Sequence, residues 1–310
     1  MLRRTLLIAF IGLVVGSAAS VGLLQVSQSA GSAAVGTGGE EGTDSTAPER
    51  VICMSPAVTE MVFALEQGGR VVGRSQFTAY PPEAREKPSC GGFINPNTEK
   101  ILSLDPDLII TQGLGKKLRR FSEKHDIPLV SVRITDLDSI FSAIGRIGEV
   151  LKCGARAELL TARMRTDLAK VKVRVADRER KRVLLVVGRE PGTLNSLNTA
   201  GGGSYLDDVL RAAGGENIFG GLESRYRQVS KEAVASRRPE VIVELRGEGM
   251  VSSEKTKQIK QAWRAMPFLP AVQHDRIHVV KSTYALIPGP RIVRLARRLA
   301  DVIHGEGGGE

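Results

Sequence analysis

The sequence predicts an α/β protein built as two similar lobes, each around a mostly parallel sheet. Three observations carry this. One pattern occurs twice, as EKILSLDPDLII at residues 99–110 and EAVASRRPEVIV at residues 232–243. Short apolar runs (VICM, RVVG, LIIT, PLVSV, then RVLLVV, VIVEL, IHVV) alternate with helical stretches in both halves, which points to parallel strands. Between the halves, residues 136–182 hold no convincing strand, while Ile140, Ile144, Ile147 and Leu151 keep helical spacing.

Each copy of the repeat has the same physical reading. A glutamate opens a short helix, where the helix dipole favours negative charge. Pro106 or Pro239 then ends the helix, because the residue before a proline is pushed out of the α region. A β-branched run follows as a buried strand. Glu99 and Glu232 therefore fall at matching surface corners, one per lobe.

The chain has 310 residues and 42% hydrophobic content, ordinary for a soluble globular protein of one or two domains. Residues 1–30 read as a signal peptide: Arg3 and Arg4, an apolar run over 6–15, then the small residues Ser17, Ala18 and Ala19. Apolar and small residues continue to Leu24, close to the roughly 20 needed to span a bilayer, so an uncleaved N-terminal anchor is the alternative. No cysteine lies there, which excludes a lipoprotein anchor. Residues 31–49 are Gly, Ser, Thr, Ala and acids, and residues 305–310 are mostly Gly. Neither segment can bury a core; they read as a flexible tether and a disordered tail.

The folded part begins at Arg50, with lobes expected over 50–152 and 182–304 and a connecting helix over 153–181. Ser55 and Pro56 are an N-cap and first-turn proline, and Gly68 with Gly69 is expected to close that helix. Residues 75–92 contain Pro81, Pro82 and Pro88 and are expected to be irregular loop; they carry Phe77 and Tyr80, with Phe93 just beyond. Asn97 and Ser230 are placed to cap the two glutamate helices. A basic helix follows near 114–125. A long charged helix is expected over 155–177 with Leu159, Met164 and Leu168 inward. Residues 188–203 and the GGENIFGG stretch read as loops, 254–265 as a helix with Trp263 in the core, and 291–304 as the final helix.

The net charge of +10 raises nucleic acid as a partner, but the basic residues are dispersed and no basic stretch is interleaved with aromatics. Cys53, Cys90 and Cys153 lack metal-ligand spacing, and Cys53 reads as a small buried hydrophobe. The four histidines are scattered, which argues against a zinc or manganese site. There is no G-x-S-x-G elbow, Walker A sequence or strand-linked G-x-G-x-x-G. The Gly201–Ser204 run leaves one enzyme alternative, a phosphate cradle. No cofactor is called for.

The order RVICMSPAVTEMVFAL, GRVVG, YPPEA, GGFINPNTEKILSLDPDLII, QVSKEAVASRRPEVIV and PGPR resembles the periplasmic binding proteins that serve ABC importers of cobalamin, ferric siderophores and haem. The likeness covers residues 50–304. It implies a class III arrangement: two Rossmann-like lobes joined by one long rigid helix, with a ligand held between them and no catalysis. It also implies an exported monomer that meets a permease dimer and, through it, a cytoplasmic ATPase. Glu99 and Glu232 match the acids that dock on permease arginines. Phe77, Phe93 and Tyr226 match pocket aromatics of the cobalamin receptors, with Tyr80, Tyr284 and Arg246 as further ligand contacts. Without the resemblance each aromatic reads first as a loop side chain tucked onto the core, and Arg189, Arg225 and Arg246 read equally as anion contacts or solvated surface. Gly92 stands where haem receptors carry an iron-binding tyrosine. The expected ligand is thus a corrinoid, then a ferric siderophore, then haem. A membrane-tethered sensor of the same fold remains a further alternative.

Overall fold

The computed structural model describes residues 46–113, 115–247 and 252–305. The expected signal or anchor, most of the tether and all but Gly305 of the tail lie outside these residues.

The first sheet starts with β1 (Val51–Cys53), fully buried. The helix α1 (Pro56–Ala64) follows it. Ser55 Oγ accepts the Val58 N–H at 3.2 Å, and Pro56 takes the first turn. This helix closes earlier than expected: Glu66 turns into the left-handed region at φ 59, and Gly68–Arg70 is a separate 3-10 turn. Then come β2 (Val71–Arg74), a one-turn helix α2 (Pro82–Arg85) and α3 (Thr98–Ser103). The α2 turn lies in the segment expected to be irregular; Pro82 sits at its first turn, where a missing N–H is harmless. Asn97 Oδ1 caps α3 by accepting the Lys100 N–H at 3.0 Å. Next are β3 (Leu108–Gln112), α4 (Lys116–His125) and β4 (Leu129–Val132). All four strands are parallel, in the order β2-β1-β3-β4. One face of this sheet packs Ile52, Ile109, Ile101, Leu118 and Phe121 into a core.

Two helices leave this sheet, α5 (Leu137–Val150) and α6 (Gly154–Arg174). Asp136 and Ser139 form a reciprocal capping box at the start of α5. The inward face of α6 is Ala157, Met164, Leu168 and Val171. Leu159, expected inward, is instead 72% exposed: the buried stripe runs through positions that Leu159 does not share.

The second sheet contains β5 (Lys181–Gly188), β6 (Leu197–Ala200), β7 (Gly215–Asn217), β8 (Tyr226–Val229), β9 (Val241–Arg246) and β10 (Ile277–Lys281). Between them lie α7 (Tyr205–Ala212), α8 (Lys231–Arg237), α9 (Ser253–Trp263) and α10 (Pro270–Gln273), and α11 (Ile292–His304) ends the fold. Strands β7, β5, β9 and β10 are parallel; beyond β5, β6 runs antiparallel to it and β8 antiparallel to β6. Residues 197–200 and 215–217 are therefore strands where loops were expected. Their sequences, LNTA and GEN, lack the apolar run that marks a buried strand.

The repeat has a structural counterpart in topology. β3 pairs with β1 and β9 pairs with β5, while β2 and β7 flank the same two strands on the other side. Ser204 Oγ caps α7 on the Asp207 N–H, as Ser55 caps α1. Helix α6 packs against α5 from the first half and against α7 and α11 from the second. From Pro48 onward the chain is one compact unit containing both sheets.

The start of β9 is fixed to β5 by Glu240. Its Oε2 accepts the Arg182 N–H at 3.0 Å, and its own N–H donates to the Arg182 carbonyl at 2.8 Å. Partial burial opposes the carboxylate, but the Arg182 amide, the Arg182 guanidinium and Lys181 outweigh it and hold its pKa below the ordinary 4.5. A carboxyl that binds its proton less tightly when folded adds stability above the ordinary value and loses it as pH falls through the lower folded one. Stability is expected to decline below pH 4.5, and Glu240→Gln is expected to flatten that part of the profile. Urea unfolding midpoints across the range measure both; identical profiles for the two proteins would show that Glu240 plays no part.

Candidate functional site

In open α/β sheets ligands gather beyond the carboxyl ends of the strands. In the first lobe that edge carries aromatics. Phe77 follows β2, its N–H held by Ser75 Oγ at 3.3 Å. Its ring lies on Gly92, where a Cβ would stand 3.1 Å from Phe77 Cε2. Phe93 is next in the chain and lays its ring beside the turn after β3; a Cβ on Gly115 would meet that ring at 3.5 Å. Both phenylalanines are partly exposed. A side chain at Gly92 would press on the Phe77 ring and on Gln76 Nε2, 3.2 Å away.

In the second lobe, the same edge carries charge. Glu244, fully buried in β9, accepts Arg189 Nε at 2.8 Å and Trp263 Nε1 at 2.7 Å. Arg246 Nη2 donates to the other Glu244 oxygen. Two guanidinium groups thus share one buried carboxylate. Burial lowers the Arg246 pKa and Glu244 partly restores it. The Arg189 side chain is 2% exposed and that of Arg246 15%. Arg189 is committed to this cluster, whereas Arg246 ends the strand at the surface. Arg225 donates Nε to the Gly203 carbonyl at 3.0 Å.

Tyr226 opens β8 and is partly exposed, but its hydroxyl is buried against that of Tyr205, and burial raises both phenol pKa values. Tyr80 and Tyr284 are brought together across the two halves by Arg291. The guanidinium carbon of Arg291 lies 3.7 Å from the Tyr80 ring centre and 5.7 Å from that of Tyr284. Arg291 also donates Nε to Glu60 Oε2 at 2.9 Å and Nη2 to Oε1 at 2.6 Å. Both partners are buried. Gly289 makes room for the pair, since a Cβ there would stand 3.1 Å from Glu60 Oε2.

The match to the periplasmic binding protein family spans residues 51–284. The chain belongs to that family. The binding protein is 29% identical to the vitamin B12-binding protein of Salmonella paratyphi A over 83% of this chain and 91% of that one. The crystal structure of the periplasmic vitamin B12 binding protein of Vibrio cholerae has a TM-score of 0.68 at 25% identity, covering 84% of this chain and 99% of the other. A periplasmic heme binding protein from Pseudomonas aeruginosa has a TM-score of 0.73 at 23% identity, covering 84% and 94%, and shares the fold. The family is one of binding proteins rather than enzymes, takes a small-molecule ligand, works with an ABC permease and points to the periplasm.

Among the described residues no helix of the binding protein is long and apolar enough to cross a membrane, and no three His, Cys, Asp or Glu side chains could hold a metal ion. The Gly201–Ser204 run is not an open cradle. A Cβ on Gly201 would lie 2.3 Å from the Ser224 carbonyl and one on Gly202 2.1 Å from that of Gly220, so these glycines permit backbone packing. A surface depression of about 300 Å³, lined by Gln67, Arg70, Cys153 and Arg156, opens beside the start of β2, at the opposite end of the first sheet from the aromatics. Glu99 and Glu232 are both exposed, in the first turns of α3 and α8. The Glu232 carboxylate is held below the ordinary range by its own backbone N–H and the Ser230 hydroxyl.

Sequence reasoning missed Glu60, Arg291, Glu244 and Tyr205. A signal existed for two of them: Glu244 is an acid inside the apolar run VIVEL, and Arg291 ends the PGPR motif. Because Glu244 is the sole carboxylate of its buried cluster, Glu244→Ala is expected to cost about 3–5 kcal/mol by leaving the guanidinium groups uncompensated. Urea unfolding measures this. A loss no larger than about 0.5 kcal/mol, typical of a surface substitution, would show that the cluster repacks freely.

Proposed function

We propose that this binding protein captures cobalamin or a related corrinoid between its two lobes in the periplasm and hands it to the permease of an ABC importer. The observation that carries the reading is that aromatics stand at strand ends in both lobes: Phe77 and Phe93 beyond β2 and β3, Tyr284 beyond β10, with Tyr226 at the start of β8. A corrin ring is broad and partly apolar, and each stacked or edge-on aromatic adds about 0.5–1.5 kcal/mol beyond area burial. Kinship with vitamin B12-binding proteins supports the same choice. Tyr80 and Arg246 complete the proposed lining. The cleft does no chemistry in this reading; it binds and releases.

The surplus positive charge at Glu244 favours a second reading, a ferric siderophore with carboxylate groups that Arg246 would meet. Haem comes third, because Gly92 stands in the place of an iron-binding tyrosine and a side chain there would press on the Phe77 ring. Phe93→Ala and Tyr226→Ala are each expected to weaken cyanocobalamin binding several-fold, about 0.5–1.5 kcal/mol, with the melting temperature little changed. Calorimetry on the wild type decides between the readings: no heat with cyanocobalamin but saturable binding of a carboxylate siderophore would replace the first with the second.

Glu99 and Glu232 are proposed as the permease contacts, one per lobe, on a protein that acts as a monomer and whose N-terminal segment directs export or anchors it. A dipole role alone stabilises an exposed acid by about 0.3–1 kcal/mol and does not call for a matched pair. Exposed contacts of this kind steer encounter and orientation and are screened by salt. Glu99→Arg with Glu232→Arg is expected to abolish docking on the permease and its ATPase in proteoliposomes, with ligand affinity intact. Docking equal to wild type would reduce the repeat to a feature of the fold.

A further inference from the structure

Two segments touch the opposite half, the one after β4 and the one after β10, and each is held there by an acid on the first helix of that half. After β10, Arg291 grips Glu60 of α1 with two hydrogen bonds, at 2.9 and 2.6 Å. After β4, Asp208 of α7 accepts the Leu137 N–H at 3.0 Å, beside a Tyr205 N–H bond to the Thr135 carbonyl at 2.9 Å. The two arrangements are counterparts, since α1 and α7 are the capped helices that follow β1 and β5.

Arg291 has a further set of contacts. Its third nitrogen, Nη1, donates to Thr283 Oγ1, so all three nitrogens are engaged and the plane of the guanidinium is fixed. The faces of that plane are the surfaces that aromatic rings prefer. Tyr80 from one half sits 3.7 Å away and Tyr284 from the other 5.7 Å away. Both tyrosines follow the carboxyl end of a strand, β2 and β10, and both remain partly exposed.

We infer that Arg291 is a positioning residue: held by Glu60, it fixes the separation of the two lobes and holds Tyr80 and Tyr284 as paired walls of the ligand cleft. The role of the tyrosines rests on the proposed binding function, whereas the fixed separation stands without it. A lysine could keep the charge but not the planar two-point grip or the stacking surface. Replacing both members of a buried ion pair by apolar residues often leaves stability nearly unchanged, so the grip can be removed without unfolding the protein.

The test uses the full chain with two spin labels, at Lys124→Cys and Lys257→Cys, on a Cys153→Ser background; Cys53 and Cys90 are buried. Electron–electron distance measurements are made on the parent, on Arg291→Lys, and on the Glu60→Met with Arg291→Met double variant. The parent is expected to give one narrow distance distribution with and without cyanocobalamin. Both variants are expected to broaden it, and to weaken cyanocobalamin binding by about tenfold or more through lost preorganisation, while the double variant keeps near-parent thermal stability. A folded double variant with a distribution as narrow as the parent would overturn the fixed separation. A broadened distribution with unchanged cyanocobalamin affinity would overturn the role given to the tyrosines. If the parent itself binds no cyanocobalamin, the corrinoid reading fails while the distances still decide the grip.

Discussion

The structure hinges on a bidentate ion pair between Glu60 and Arg291, residues at opposite ends of the described chain. Burying it is unfavourable in itself. Removal from water pushes the Glu60 carboxyl pKa upward even against the pull of Arg291, and buried pairs of this sort add little net stability over apolar neighbours. What the pair does is penalise every arrangement that separates its members. Gly289, Thr283, Tyr80 and Tyr284 are all arranged around this one contact. An acid on the first helix of a lobe has therefore become a constraint on where the other lobe can sit.

The same logic recurs once more, with Asp208 and the amide of Leu137. That recurrence follows from the duplicated order of strands. A first strand, a serine-capped helix, a flanking strand, a glutamate helix and a central strand appear in both halves. The copies are not equal, however. The second sheet adds β6 and β8 beyond β5, and its strand ends are charged where the first lobe presents phenylalanines. A scaffold repeated in two versions can thus offer a flat apolar wall on one side and hydrogen-bonding or ionic groups on the other.

Much of this was legible in the residues. The repeat, the capping residues Ser55, Asn97 and Ser230, and the central strands declare themselves because caps and β-branched runs are local signals. The two outer antiparallel pairings did not: Leu197–Ala200 and Tyr226–Val229 are half polar and are held in place by their neighbours in the sheet. Leu159 was placed inward from spacing alone, and only the packing of α6 shows which stripe is buried. The polar contacts at the seam were harder still. Glu60 lies in a helix whose apolar spacing is enough to predict it, and nothing local says that its carboxylate meets an arginine more than two hundred residues away (|i−j| of 231). Long-range pairs of this kind are set by topology, which a single sequence reveals only in outline.

Trp263 is the only tryptophan of the chain, and it is fully buried, bonded through Nε1 to Glu244. Its ultraviolet emission is therefore a private reporter of one half of the molecule. That emission will follow the integrity of the core around Trp263. A coloured tetrapyrrole in the cleft would dim this emission through space, by energy transfer, without touching the indole. A colourless ligand would leave it bright, and the same optical measurement thus sorts ligands by their absorption.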